Sequence, residues 1–460
     1  MKQGLLLSII MATSVSASAT VINIPSDYPT IQEGIDASNY RDTVLVANGH
    51  YYERINFNGK RVLLTSEFMT DGDIFHIQNT IIDADTMVLG SAWYGSVVCF
   101  ISGEDSTSIL QGFTIQNGIG TKLDIYYKRG GGGICCLESS PTISNNIIRD
   151  NVAYDLLVGF GGGIYIGGAH LNISRPIIEN NLIVNNEASG GDAGFGGGIY
   201  GTYANAVITG NTIIENETWG RFGPGGGGGL HFSQTSLDFS GNIIARNIAR
   251  WGAGMYTYYG TMQIDGNTFT GNIGNSVGGI YTAETDMNIV NTIIWGNGPG
   301  EEIGIQVGSP NVSYSNIEGG WLGEGNIDCN PRFCNPENND YNLHFSSCCL
   351  GAGDGGTTIG VLGIGCGRSC DEFYVVGDFN GSWEFNVVDI VESFSKLATG
   401  SPLSAYICEC PPESGNKWAV AMDVNNSCAF NIADVYIAYQ RLALGEPELE
   451  PCEHCPPAGR

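Results

Sequence analysis

A run of glycines closed by one aliphatic residue returns six times along this chain: GGGI ending at Ile134, at Ile164 and at Ile199, GGGL at Leu230, GAGM at Met255 and VGGI at Ile280. Successive gaps are 30, 35, 31, 25 and 25 residues. Units this short cannot each bury a core of their own, so they must stack on one another and share one. Inside each unit sits an Asn-aliphatic-Asn phrase: NIIRDN (146–151), NLIVNN (181–186), NTIIEN (211–216), NIIARN (242–247) and NTFTGN (267–272). The second Asn follows the aliphatic by 17 residues in every unit except the second, where the interval is 22.

The apolar residues alternate with period two and show no helical spacing, which predicts strands. One unit is then one coil of a parallel β-helix, with strands about 4.8 Å from those of the next coil and aliphatics turned inward. Glycine relieves crowding at the tight corners. Asn tolerates left-handed backbone and can bond to the same Asn in the next coil, so a repeated Asn predicts a stacked turn.

These residues resemble the right-handed parallel β-helix repeat proteins of the pectate-lyase-like superfamily. The resemblance extends upstream to IPSDYPTIQEGIDASNYRDTVLVANGHYYERI (24–55), which is similar to a first coil and holds a Gly-x-Tyr-x-Glu phrase at Gly49, Tyr51 and Glu53. It also takes in GEDSTSILQGFTIQNG (103–118) and GNIDCNPRFCNPENNDYNLHF (325–345). It implies a β-helix over 20–325 and a Cys-rich cap over 326–370. The expected fold class is mainly β, a right-handed parallel β-helix followed by a small α-helical domain with tandem calcium-type loops.

Corner lengths differ from coil to coil. After the second Asn, 9 residues (152–160), 9 (187–195) and 10 (217–226) precede the next glycine corner, and later coils have 4 (248–251) and 4 (273–276). Three neighbouring coils lengthen the same corner, which predicts a lip, and inserted faces of solenoids are often binding faces. Glu187 and Glu217 hold the same position at the start of two of these corners, with Trp219, Arg221 and Phe222 beside them. Two carboxylates one coil apart can bind a cation or work as an acid and nucleophile pair. They are the candidate catalytic residues.

A second candidate surface follows from the residue after each interior aliphatic: Cys135, Tyr165, Tyr200, His231, Tyr256 and Tyr281. Side chains alternate across a strand, so these are expected to form an outward ladder. Tyr165, Tyr200, Tyr256 and Tyr281 can receive the apolar faces of sugars or simply stack on each other.

Beyond Cys370 a different repeat begins. DFNGSWEFNVVD (378–389) and DVNNSCAFNIAD (423–434) align at a constant offset of 45, and the match continues through Leu397 with Leu442 and Gly400 with Gly445. Each reads as a 12-residue loop leading into an amphipathic helix. The pair resembles a type I dockerin domain (371–460), which implies calcium binding and a cohesin-like protein partner. On that resemblance the ligands are Asp378, Asn380, Ser382, Glu384 (carbonyl), Asn386 and Asp389, then Asp423, Asn425, Ser427, Ala429 (carbonyl), Asn431 and Asp434. Both loops depart from the pattern, with Ser at position 5 and Trp383 or Cys428 where Gly is usual. Fewer charged oxygens imply weaker calcium binding.

The first 19 residues, with Lys2 ahead of Leu5 to Ile10 and an Ala17-Ser18-Ala19 exit, read as a secretory signal. The even count of 14 cysteines favours disulfides in an exported chain over a zinc site at Cys408, Cys410, Cys452 and Cys455. Asp plus Glu number 47 against 19 Lys plus Arg, a net charge of -28, which disfavours nucleic acid and anionic lipid as partners. No later apolar run is long enough to span a membrane.

Signatures of enzymes on this fold are missing: the chain has no Asp-Asp pair and no Gly-His-Gly, and beyond Gly49, Tyr51 and Glu53 no phrase matches the pectin esterases. Three readings stay open. The chain is a secreted, tethered polysaccharide-binding protein, a polysaccharide lyase or glycoside hydrolase on the same tether, or a structural cell-surface rod.

Overall fold

The computed structural model describes residues 19–84, 95–123, 128–169, 172–221 and 225–366, with the backbone of 408–409 and 417–418. The chain divides into two compact units. One comprises 1–331 and 348–361, the other 332–347 and 362–460.

The first unit is a parallel β-helix. Each coil contributes strands to a 17-stranded sheet and to a 10-stranded sheet. Coil stacks on coil in register: Ile134 opposes Ile164, Ile164 opposes Ile199, Ile199 opposes Leu230, Leu230 opposes Met255, and Met255 opposes Ile280. All six of these side chains are fully buried and belong to one continuous core. The glycine run before them has a steric cause. Gly196 holds φ +66, and a Cβ on Gly198 would stand 2.6 Å from the Gly229 carbonyl oxygen of the next coil. Only glycine lets adjacent coils approach this closely.

Two asparagine ladders run through the coils from Asn146 onward. In one, Asn151, Asn186, Asn216, Asn247 and Asn272 each donate from backbone N and from Nδ2 to the Oδ1 of the next Asn, ending on Asn297. Asn297 in turn donates to the Glu302 carboxyl from N (2.9 Å) and Nδ2 (2.6 Å). The second ladder links Asn146, Asn181, Asn211, Asn242 and Asn267, then passes to Thr292 and Ser315. The expectation that one Asn supplies both the left-handed turn and the stacking bond is corrected here. The left-handed residue is the one before, such as Asn145, Asn180, Asn185 or Gly210, while the ladder Asn stays out of that region. A side chain that must aim at the next coil needs an ordinary backbone, and its neighbour takes the strain.

The lengthened corners fold as paired strands. Val152–Asp155, Glu187–Gly190 and Glu217–Gly220 stack in a five-stranded sheet with Ile248–Ala249 and Ile273–Gly274. Val158–Phe160 and Ala193–Phe195 return beside them in a four-stranded sheet. The corner is a ridge two strands thick.

At the other end of the chain, Thr30 caps the helix Ile31–Ala37, and Glu53 accepts from the first free amides, Ile31 N at 2.9 Å and Gln32 N at 3.0 Å. Glu53 of the Gly-x-Tyr-x-Glu phrase thus satisfies the helix N-terminus here, while Tyr51 donates to Ala47 O. A disulfide joins Cys329 to Cys348. In the second unit, Phe333–Asn335, Asp340–His344 and Ile364–Cys366 form a three-stranded sheet, and Cys334 is bonded to Cys366. Cys408–Glu409 pairs antiparallel with Lys417–Trp418.

Candidate functional site

The predicted ring ladder forms. Tyr165, Tyr200, His231, Tyr256 and Tyr281 are register partners on successive coils, and their rings stack at 5.7, 5.1, 4.7 and 5.0 Å with planes within 21°. Cys135 continues the column below Tyr165 and opposes Cys99, both buried thiols. The stacking alters what the ladder can offer. Each inner ring has its faces covered by its neighbours, so it turns only an edge outward. A sugar that packs on an aromatic needs a free face.

A second aromatic column, missed in the sequence, runs beside this ladder on the inner side of the ridge. Phe160 opposes Phe195, and Gly226 and Trp251 follow on the next two coils. Phe160 lies 4.7 Å from the Tyr200 ring, Phe195 lies 5.0 Å from His231, and Trp251 lies 5.6 Å from Tyr281. Each ring contacts the ladder ring one coil on. The signal was an aromatic immediately before the glycine run, as in GFGGGI at 159–164 and 194–199.

At Gly226 the second column has no side chain. A cleft of about 240 Å³ beside the ladder is lined by Phe160, Phe195, Tyr200, His231, Tyr256 and Tyr258. His231 is 7 % exposed, and its Nδ1 is buried beside Gly226. Burial pushes its pKa down to about 3, and a hydrogen bond to the Gly226 backbone offsets this only in part. The imidazole is neutral at ordinary pH.

The outer side of the ridge carries the other predicted residues. Glu187 opposes Glu217 in register, flanked by Val152 and Ile248 on the coils to either side. Two residues along the same strands, Tyr154, Ser189 and Trp219 form a parallel column. Tyr154 is 52 % exposed and Trp219 56 %, while Ser189 is buried between them. Arg221 is exposed just past Trp219, and Phe222 lies outside the described residues. The predicted set therefore separates. Glu187, Glu217 and Trp219 share the outer side of the ridge, and Tyr165, Tyr200, Tyr256 and Tyr281 form the ladder on the other. Tyr154 belongs with the first group and was not foreseen.

A larger cavity, about 680 Å³, lies where the first ladder ends, beside Glu302, Glu318 and Trp321. Burial raises the Glu302 pKa to about 7, with Glu318 adding to the shift and the Asn297 hydrogen bonds opposing it. Both calcium-type loops, Asp378 to Asp389 and Asp423 to Asp434, lie outside the described residues. Among the described residues no group of three or more His, Cys, Asp and Glu side chains is placed to hold a metal ion, and no helix is long and apolar enough to cross a membrane.

Among curated proteins nothing matches this chain. A solved pectin methylesterase from carrot aligns with 15% identity over 68% of this chain and 84% of that one, with a TM-score of 0.32. Residues 62–272, which hold most of the ladders and of the ridge, match the family described as the right-handed β-helix region.

Proposed function

We propose that this is a carbohydrate-associated β-helix protein that binds polysaccharide on the outer side of its ridge. The observation that carries this reading is the pair Tyr154 and Trp219, two exposed aromatics on one column with only Ser189 between them. They stand two coils apart, about 10 Å. One coil is close to the advance of one sugar in an extended β-linked chain, so alternate sugars of a chain laid across the coils meet an aromatic face. The neighbouring Glu187 and Glu217 carboxylates are acceptor-only groups when ionised and suit sugar hydroxyls. An acidic polymer would meet those same charges as repulsion.

A second reading rests on the register of Glu187 with Glu217. Backbones one coil apart allow carboxyl groups near the roughly 5 Å separation used by retaining glycosidases. We infer in addition that the chain is exported and tethered through residues 371–460, with calcium in the two loops and a cohesin-like protein as the docking partner. The loop repeat supports this tether, and the two disulfides suit an oxidising compartment.

The test is to incubate the purified chain with neutral and acidic polysaccharides, with millimolar calcium and with excess chelator, scoring retention, reducing ends and unsaturated products. Retention of a neutral glycan without new ends is the expected result. New reducing ends that disappear in Glu217→Gln would establish the hydrolase. Inertness toward every glycan would leave the structural rod. A melting transition that does not move between chelator and calcium would remove the calcium assignment.

A further inference from the structure

We infer that the ridge selects glycans that carry amino groups over their neutral counterparts, with one sugar ammonium held between the Glu187 and Glu217 carboxylates. The inference rests on the ridge reading above, which supplies the aromatic platforms, and it names the substituent that the carboxylates recognise.

Three coils build the arrangement. Along them one column reads Tyr154, Ser189, Trp219, and the column two residues earlier reads Val152, Glu187, Glu217. The residues between, Ala153, Ala188 and Thr218, are buried, so both columns stand on the same outer side. The coil without an aromatic platform, at Ser189, therefore has Glu187 at its side, and the next coil has Glu217 beside Trp219. The carboxylate column stops there. Ile248 and Ile273 continue it on the following coils, both exposed.

Packing alone does not account for two carboxylates in this register. Like charges directly opposite on neighbouring strands are destabilising, and these two backbones run about 4.8 Å apart. No ion pair among the described residues reaches either carboxylate, and their neighbours in the column, Val152 and Ile248, carry no charge. An ammonium between them removes the repulsion, and its three donors serve both groups at once. A neutral hydroxyl donates a single proton and leaves both charges in place. The spacing fits one amine. In a β-1,4-linked chain successive sugars are turned over, so each edge carries an amino group only on every second sugar, about two coils apart, and a single ammonium meets the pair. The faces of Tyr154 and Trp219 also attract a cation. The net charge of -28 draws such a polymer toward the chain.

The probes are hexamers of β-1,4-linked glucose, glucosamine and N-acetylglucosamine, which differ only at the second carbon, titrated calorimetrically into the full chain at low salt with excess chelator. With its amines protonated, the glucosamine hexamer should bind about fivefold or more tightly than the glucose hexamer, as two solvent-exposed charge contacts allow. The N-acetyl hexamer should lack that gain, and added salt should erase it. Glu187→Gln together with Glu217→Gln should bring the ratio of the glucosamine and glucose affinities to about one. Asp238→Asn together with Asp286→Asn removes the same charge from the 17-stranded sheet and should leave the ratio as in wild type. Glu217→Gln should not lower the melting temperature, because it removes a like-charge contact, so a lost gain cannot be misfolding. Equal affinities for the two hexamers in wild type overturn the inference. So does a gain that survives Glu187→Gln with Glu217→Gln, which would mark general attraction of a polycation to an acidic chain. Glucose hexamer bound with no gain from the amines leaves the ridge reading standing alone. Glucosamine hexamer bound with full dependence on the two glutamates and none on Trp219→Ala removes the platforms and leaves the amine site. No hexamer bound removes both.

Discussion

His231 and Glu302 are buried titratable groups whose shifts oppose each other. The His231 pKa falls from 6.5 to about 3 because burial disfavours the charged ring. The stability linked to its neutral form is therefore present above 6.5 and is lost as pH falls toward 3. The Glu302 pKa rises from 4.5 to about 7 through burial and the nearby Glu318, so its contribution is full below 4.5 and is lost as pH rises through 7. Between 4.5 and 6.5 the two slopes oppose, and the wild-type curve partly hides both. Melting temperatures measured from acid to neutral pH should separate them. His231→Phe should flatten the acid-side loss, and Glu302→Gln should flatten the loss approaching neutrality. Slopes unchanged in both variants would contradict these assignments. Neither shift was legible in the sequence, where His231 reads as one ladder member among tyrosines. Burial is a property of the coil stack, and it gives the residue its character.

At the scale of the element, the coil repeat was legible because every coil poses the same steric problem and meets it with the same residues. The division of labour within each turn was not. A run such as Asn185-Asn186 does not say which Asn bends the chain and which bonds to the next coil. The structure places Asn185 at φ +54 and gives Asn186 bonds to Ile148 O, Val184 O and Asn216 Oδ1. Asn186→Ala should cost about 3 kcal/mol, since it leaves several buried partners unmatched. Asn185→Gly should change stability by less than about 0.5 kcal/mol, because glycine adopts the same backbone freely. Denaturant melts of the two variants test this, and equal losses would contradict the division. The lip was legible from corner lengths alone. Its two sides were not, because strand pairing within the corner decides that Phe160 and Phe195 turn to the ladder while Tyr154 and Trp219 turn to solvent.

Across the whole molecule, the period of the repeat carried the fold, whereas chemistry had to wait for geometry. The four predicted tyrosines stack in one column with His231, which covers the faces of the inner rings, whereas Tyr154 and Trp219 on the ridge are exposed. The dockerin-like reading of 371–460 stands on its internal repeat, and its loops lie outside the described residues. The central claim is that the ridge receives an extended neutral glycan through two aromatic platforms. Its most direct measurement is the affinity of wild type, Tyr154→Ala and Trp219→Ala for the neutral glycan that the wild-type chain retains, with melting temperature recorded beside it. The account predicts that each variant binds about tenfold or more weakly at an unchanged melting temperature, as truncation of an aromatic anchor does. Affinities equal to wild type in both variants would contradict it.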